Sequence, residues 1–205
     1  MNYTKLADET IVKKTVNALK EKGYNVVVAK NGNAALATIK EIIPEKASVM
    51  NGASVTLEQI GYVDYLKSNK HPWNNLHEAI VKEKDVEKQA QLRKEAVLSE
   101  YYLGSMHALI ENGEFIIASN TGSQLPHVVY TSANLVFVVS TKKIVPTFDE
   151  AMKRLETHVM PLENEHMLDL YGFPTAFNKL VIFKNESPMN KRNIHIILVE
   201  EDLGF

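Results

Sequence analysis

Three groups of residues have the types and spacing to hold a small anion. The first is Asn51, Gly52 and Ser54, which offer a carboxamide, a backbone without a Cβ and a hydroxyl just after the apolar run from Ala47 to Met50. The second is Thr121, Gly122 and Ser123, inside the polar stretch Asn120 to Gln124 and ahead of Leu125-Pro126, where Pro126 suits the first turn of a helix. The third is Lys143, at the carboxyl end of the apolar run Asn134 to Ser140, where ligands of α/β proteins collect. Backbone N–H groups in such loops, together with a following helix start, favour negative charge by roughly 0.3–1 kcal/mol. Each loop serves equally well as a plain turn with a helix cap: Ser54 in one, Ser123 or Thr121 in the other.

Two carboxylates extend the chemistry. Glu58 lies one helical turn beyond Ser54, and Glu111 adjoins Asn112-Gly113. Either one next to Lys143 would suit proton abstraction beside a carbonyl, with the lysine stabilising the enediolate. Both read as readily as solvated surface groups, and Glu114 opposite Glu111 favours exposure there. His107 shares a face with Leu109 and Ile116, the pattern of a hydrogen-bonded structural histidine. The histidines show no HxH or HExxH spacing, and no GxSxG, Walker or GxGxxG motif occurs, so neither a metal site nor a cofactor is predicted. With no cysteine, the chain has no thiolate nucleophile, disulfide or cluster ligand of its own.

These residues need a scaffold, and the chain of 205 residues has enough apolar material for one α/β domain over 1–205. A net charge of −2 without long like-charged blocks gives no support to nucleic-acid binding or an anionic-membrane anchor. The N-terminus lacks an apolar signal core and no run reaches about 18 apolar residues, so the cytoplasm is the default expectation. A homodimer is the base-rate expectation.

Alternation of patterns gives the element order. Residues 9–22 predict an amphipathic helix with Asp8 as N-cap and Gly23 as stop, and Asn25 to Ala29 a buried strand. A helix carrying Ala35, Leu36, Ile39 and Ile43 follows, then a strand over 47–50 and a short helix opened by a Thr56/Gln59 capping box. Residues 62–82 read as a crossover with short helical pieces, and 83–100 as a long surface helix. Met106 to Glu111 and Glu114 to Ser119 predict a hairpin with a type I′ turn at Asn112-Gly113, pairing Leu109 with Ile116 and His107 with Ala118. Asn134 to Ser140 reads as a central, doubly covered strand. A helix opened by Thr147/Glu150 ends before Pro161, and strands over 180–183 and 194–199 close the chain. The whole predicts an open, mixed α/β sheet with helices on both faces.

In order along the chain, NGASVTLEQIG at 51–61, SEYYLGSMHALIENGE at 99–114, SNTGSQ at 119–124, KKIV at 142–145 and HIILVEEDLGF at 195–205 resemble the LUD domain, the family of lactate utilization protein C. The resemblance implies a fold similar to the ribose-phosphate isomerase and CoA-transferase (NagB/RpiA) group. It also implies a role in bacterial L-lactate oxidation to pyruvate, shared with iron–sulfur or FAD-type partner proteins. On this resemblance Asn51, Gly52, Ser54, Thr121, Gly122 and Ser123 would bind a small anionic metabolite, a carboxylate or phosphate, with Glu58, Glu111 and Lys143 as the catalytic candidates. The chain departs from the family pattern at His107, Lys142 and Gln124, and its segment 170–178 lacks the cysteine many members carry there. A non-catalytic subunit that stabilises iron–sulfur partners and a sugar-phosphate isomerase-like enzyme are the alternatives.

Overall fold

The computed structural model describes residues 1–205. Helix α1 (Glu9–Glu21) starts where the Asp8 carboxylate accepts from the Ile11 amide at 2.9 Å and stops at Gly23, whose φ of +82° ends it in the left-handed region. Strand β1 (Asn25–Ala29), helix α2 (Gly32–Ile42) and strand β2 (Ser48–Asn51) follow, then α3 (Val55–Gln59) and α4 (Tyr62–Lys67). The crossover contains β3 (Asn74–Asn75), α5 (Leu76–Lys82) and α6 (Val86–Glu95), and α6 buries no residue, as a surface helix should. Strands β4 (Tyr101–Gly104), β5 (Ala108–Ile110), β6 (Phe115–Ser119), β7 (Asn134–Ser140) and β8 (Ile144–Val145) lead to α7 (Phe148–Arg154) and α8 (Met160–Tyr171). Strands β9 (Lys179–Phe183) and β10 (Asn193–Val199) complete the order.

Two sheets are formed. Six strands in the order β1-β10-β7-β4-β2-β3 are all parallel, while a four-stranded sheet, β8-β5-β6-β9, mixes both directions. One face of the parallel sheet packs Val136, Val138 and Ile197 under Ile39, Leu57 and Leu66 of α2, α3 and α4. Its other face packs Leu135, Phe137 and Ile196 against Leu19 of α1 and against Leu109, Phe115 and Ile117 of the second sheet. The far side of that second sheet, Ala108, Ile110 and Ile116, lies under Ala151, Leu155 and Val159. The result is a layered α/β fold, open at both edges of the parallel sheet, with β7 buried on both faces as its unbroken apolar run requires.

Several elements differ from expectation for identifiable reasons. The hairpin closes with a three-residue loop, because Gly113 takes φ +83° while Asn112 does not turn positive, giving a type I turn and bulge in which the Gly113 amide donates to Ile110 O at 2.8 Å. Pairing therefore shifts by one residue, to Ala108 with Ile116 and Leu109 with Phe115. Both hairpin faces are buried, so neither register would have exposed an apolar face. Strand β1 is an edge, with Val27 and Val28 about 40% exposed, because β10 fills the position beside β7. The sequence pattern does not predict strand β4, because Tyr-Tyr-Leu-Gly is too short to show a period. Ser54 caps α3 and Thr56 is buried inside it. Pro161 does not stop the helix: it falls in the first turn of α8, where a proline costs no hydrogen bond, after a π-helical turn at Leu155–Val159.

Candidate functional site

Two of the connections between the sheets are short linkers that start at neighbouring strands. Strand β4 passes through Ser105–His107 into β5, and β7 passes through a 3₁₀ turn, Thr141–Lys143, into β8. Because β4 neighbours β7 and β5 neighbours β8, both pairs parallel, the two linkers run side by side. This sets the Lys143 Nζ at 3.2 Å from Ser105 Oγ and 3.1 Å from Thr56 Oγ1, and both hydroxyls accept from it. Strand β6 runs antiparallel to β5, so its end arrives beside His107, whose Nδ1 accepts from the Ala118 amide at 3.2 Å. The loop 120–124 thus starts at the same rim.

The 51–54 bend reaches that rim as well. Tyr102 OH donates to Gln124 Oε1 at 3.3 Å, and Gln124 Nε2 donates to Ala118 O at 3.0 Å. Gly52 sits against both: a Cβ there would be 2.6 Å from Tyr102 Oη and 3.2 Å from Gln124 Oε1. Glycine is required here for close approach. Asn51 is 5% exposed, gives its Nδ2 to Gly52 O at 3.1 Å and leaves Oδ1 buried without a partner.

The loop 120–124 is largely self-satisfied. Thr121 Oγ1 donates to Ser123 Oγ at 3.2 Å and accepts from the Ser123 amide, while the Gly122 amide donates to Ser119 Oγ at 3.0 Å. Lys179 lies along Gly122 and donates to Asn120 O at 3.3 Å, a cation the sequence did not single out. The helical segment after the loop is short and π-wound at His127–Thr131, so its dipole adds little. Ser54 Oγ accepts from the Leu57 amide at 3.3 Å, which commits that lone pair to capping.

The two carboxylate candidates part company with the lysine. Glu111 is held in an ion pair with Lys14 of α1 at 2.8 Å, at the opposite end of β5 from His107, roughly 13 Å away at about 3.3 Å per residue. The structure does not bring it to the rim, because the hairpin tip points back onto α1. Glu58 is exposed on α3 and faces Glu163 of α8, whose carboxyl is raised by burial and, to a smaller degree, by Glu58.

What the rim does gather is positive charge. Lys142 does not turn away, as strand alternation would have it, because residues 141–143 form a 3₁₀ turn; its Nζ pairs with the Asp202 carboxylate and donates to Gly204 O at 2.7 Å. Arg154 of α7 is fully buried, donates through Nη1 to His107 O, and leaves Nε and Nη2 without partners. Burial, then Arg154, then Lys142 hold the Lys143 ammonium well below the ordinary lysine range. Burial, then Lys143 and Arg154, push His107 down to about 3, so it is neutral. His158, also depressed by burial, has its Nε2 buried and unpartnered. Sequence reading missed Thr56, Ser105 and Arg154. An arginine three residues after Ala151 and one before Leu155, on the apolar stripe of a helix, was the available signal.

A family model described as the LUD domain matches residues 12–199. No curated protein matches the chain. The crystal structure of a DUF162 family protein from Deinococcus radiodurans superposes with a TM-score of 0.58 at 12% sequence identity, over 95% of this chain and 99% of that one. At that identity the likeness is one of fold, and it agrees with the layered α/β arrangement. With the family model spanning nearly the whole sequence, the chain belongs to the LUD domain family.

Proposed function

We propose that this protein serves lactate utilization by binding a small anionic metabolite, a carboxylate or phosphate, where the carboxyl ends of β2, β4, β7 and β10 meet the second sheet. One observation carries the reading: the buried Lys143 amine and the buried Arg154 guanidinium have no carboxylate bonded to either, and Arg154 has two unpartnered nitrogens. An uncompensated buried charge costs several kcal/mol, and a bound anion offsets that cost. Lys143 is the principal counter-charge, and an arriving anion raises its proton affinity. Asn51, Gly52 and Ser54 form one wall, and Thr121, Gly122 and Ser123 the outer lip of the other.

Titration calorimetry with L-lactate, pyruvate and inorganic phosphate tests this. At least one of the three should bind with proton uptake, seen as a dependence of the heat on buffer ionisation. The Lys143→Met and Ser123→Ala double variant should weaken that binding, and unchanged affinity would discard the site.

A second reading is a non-catalytic subunit of an iron–sulfur lactate-oxidising assembly. It draws on Leu168, Leu170, Tyr171 and Phe173, large apolar side chains 44–61% exposed on α8 and just beyond it. Co-purification with cluster-bearing proteins, with no affinity for any of the three anions, would select it.

A further inference from the structure

We propose that Lys143 is a carbonyl-reactive amine that forms an imine with a 2-oxo carboxylate seated at the same rim. This rests on the reading of the rim as a small-anion site and names the ligand class. The amine sits between two hydroxyls, Thr56 Oγ1 at 3.1 Å and Ser105 Oγ at 3.2 Å, which are themselves 3.4 Å apart. It has no carboxylate partner to stabilise the charged form, and it is 4% exposed. The charges closest to it in effect are cations, Arg154 and Lys142, and these together with burial favour the free amine. A desolvated lysine beside other cations is the arrangement that makes an amine nucleophilic at neutral pH.

The same neighbours select the electrophile. A ketone carbon bonded to a carboxylate places its negative charge one bond from the atom under attack. Lys142 and the unpartnered Nε and Nη2 of Arg154 supply donors for that carboxylate. In the step itself the Nζ lone pair forms a bond to the carbonyl carbon and the C=O π pair moves to oxygen, which takes up a proton. The nitrogen gives up one proton through the Thr56 and Ser105 hydroxyls, leaving a neutral carbinolamine. Loss of its hydroxyl as water, with the second nitrogen proton, leaves C=N. Amine and ketone become imine and water, and no redox partner is required.

Access lies under the segment after β10. A Cβ on Gly204 would stand 2.7 Å from Lys143 Nζ, so glycine lets the backbone close directly over the amine. The segment is tied down by Asp202 to Lys142 and by the Gly204 amide to Gln59 Oε1 at 2.6 Å. The Asp202 side chain is 62% exposed, so its ion pair is partly screened by water and can open.

The test is reductive trapping. The full chain is incubated with pyruvate, reduced with sodium borohydride, digested and read by tandem mass spectrometry. The expected result is a 1-carboxyethyl group on Lys143, absent when pyruvate or borohydride is omitted, while Lys30, 84% exposed, stays unmodified and serves as internal control. Lys143→Met, verified as folded by circular dichroism, should lose the adduct. A lack of modification at Lys143, or modification of Lys30 to the same extent, overturns the proposal. L-Lactate, which has no carbonyl to attack, separates the two levels of inference. If lactate binds by calorimetry and pyruvate leaves no adduct, the amine chemistry fails and the anion site stands; if lactate, pyruvate and phosphate all fail to bind, both fail.

Discussion

The loop 120–124 and the turn 141–143 both follow a buried strand at the same rim, yet they treat their polar groups in opposite ways. In the loop, Thr121, Ser123 and Ser119 satisfy one another and the neighbouring amides, and Thr121 and Ser123 face solvent. In the turn, two lysines are buried, joined by a fully buried arginine with free donors, and the one carboxylate there, Asp202, pairs with Lys142 alone. A loop rich in hydroxyls and glycine is cheap to build because it closes on itself. A turn that buries cations is costly, and such cost persists where function requires it.

The sharpest way to break this comparison is Lys143→Met. Anion affinity should drop by about tenfold to a hundredfold, corresponding to the ~1.5–3 kcal/mol of a hydrogen bond to a charged group, while folding stability holds or rises as a buried, unpaired amine is removed. Ser123→Ala alone should change affinity by less than about threefold, because its hydroxyl is spent inside the loop. Equal losses from the two variants, measured by calorimetry, would erase the distinction.

Next in size is Gly52→Ala, which tests the seam between the regions. The added methyl meets Tyr102 Oη and Gln124 Oε1, so about 1–3 kcal/mol of stability should be lost in urea denaturation. Tyr102→Phe in the same background should restore part of that loss.

Two histidines, His107 at the rim and His127 held between Ser99 and Ser132 ahead of β4 and β7, respond to pH for different reasons. His107, held to about 3 by burial, Lys143 and Arg154, and His127, held to about 4 by burial alone, are neutral in the native state. Both pKa values lie below the unfolded value of about 6.5. The unfolded chain therefore binds more protons as pH falls through 6.5 towards 4, and stability is lost in that window and fully present above it. Each histidine contributes a slope of up to about 1.4 kcal/mol per pH unit. Lys143→Met should ease the part belonging to His107 and leave His127 as it was, observable as separate imidazole titrations by NMR.

The smallest effect is expected at Glu111→Gln. Its partner Lys14 is 67% exposed, so removing the pair should cost no more than about 1 kcal/mol and leave anion binding unchanged. A loss of binding would return Glu111 to the site.

Local physics was legible without coordinates. Apolar period, caps and turn formers placed α1, α2, β7 and β10 close to their observed positions, since Asp8, Asn31, Gly23 and an unbroken apolar run act within a few residues of themselves. Residue order also indicated that the 51–54 bend and the 120–124 loop share a rim with Lys143. The hairpin register was not legible, because a single φ at Asn112 decides between two loops. The sheet that receives the hairpin was not legible either, because β4 carries too few residues to announce itself. Above all, the company of Lys143 depends on two strands crossing side by side from one sheet to the other. Ser105, Thr56 and Arg154 are separated from it by tens of residues in the chain or lie on a different element, and only tertiary contact, with the burial that strips water from all of them, turns a surface-looking lysine pair into a concentrated positive site.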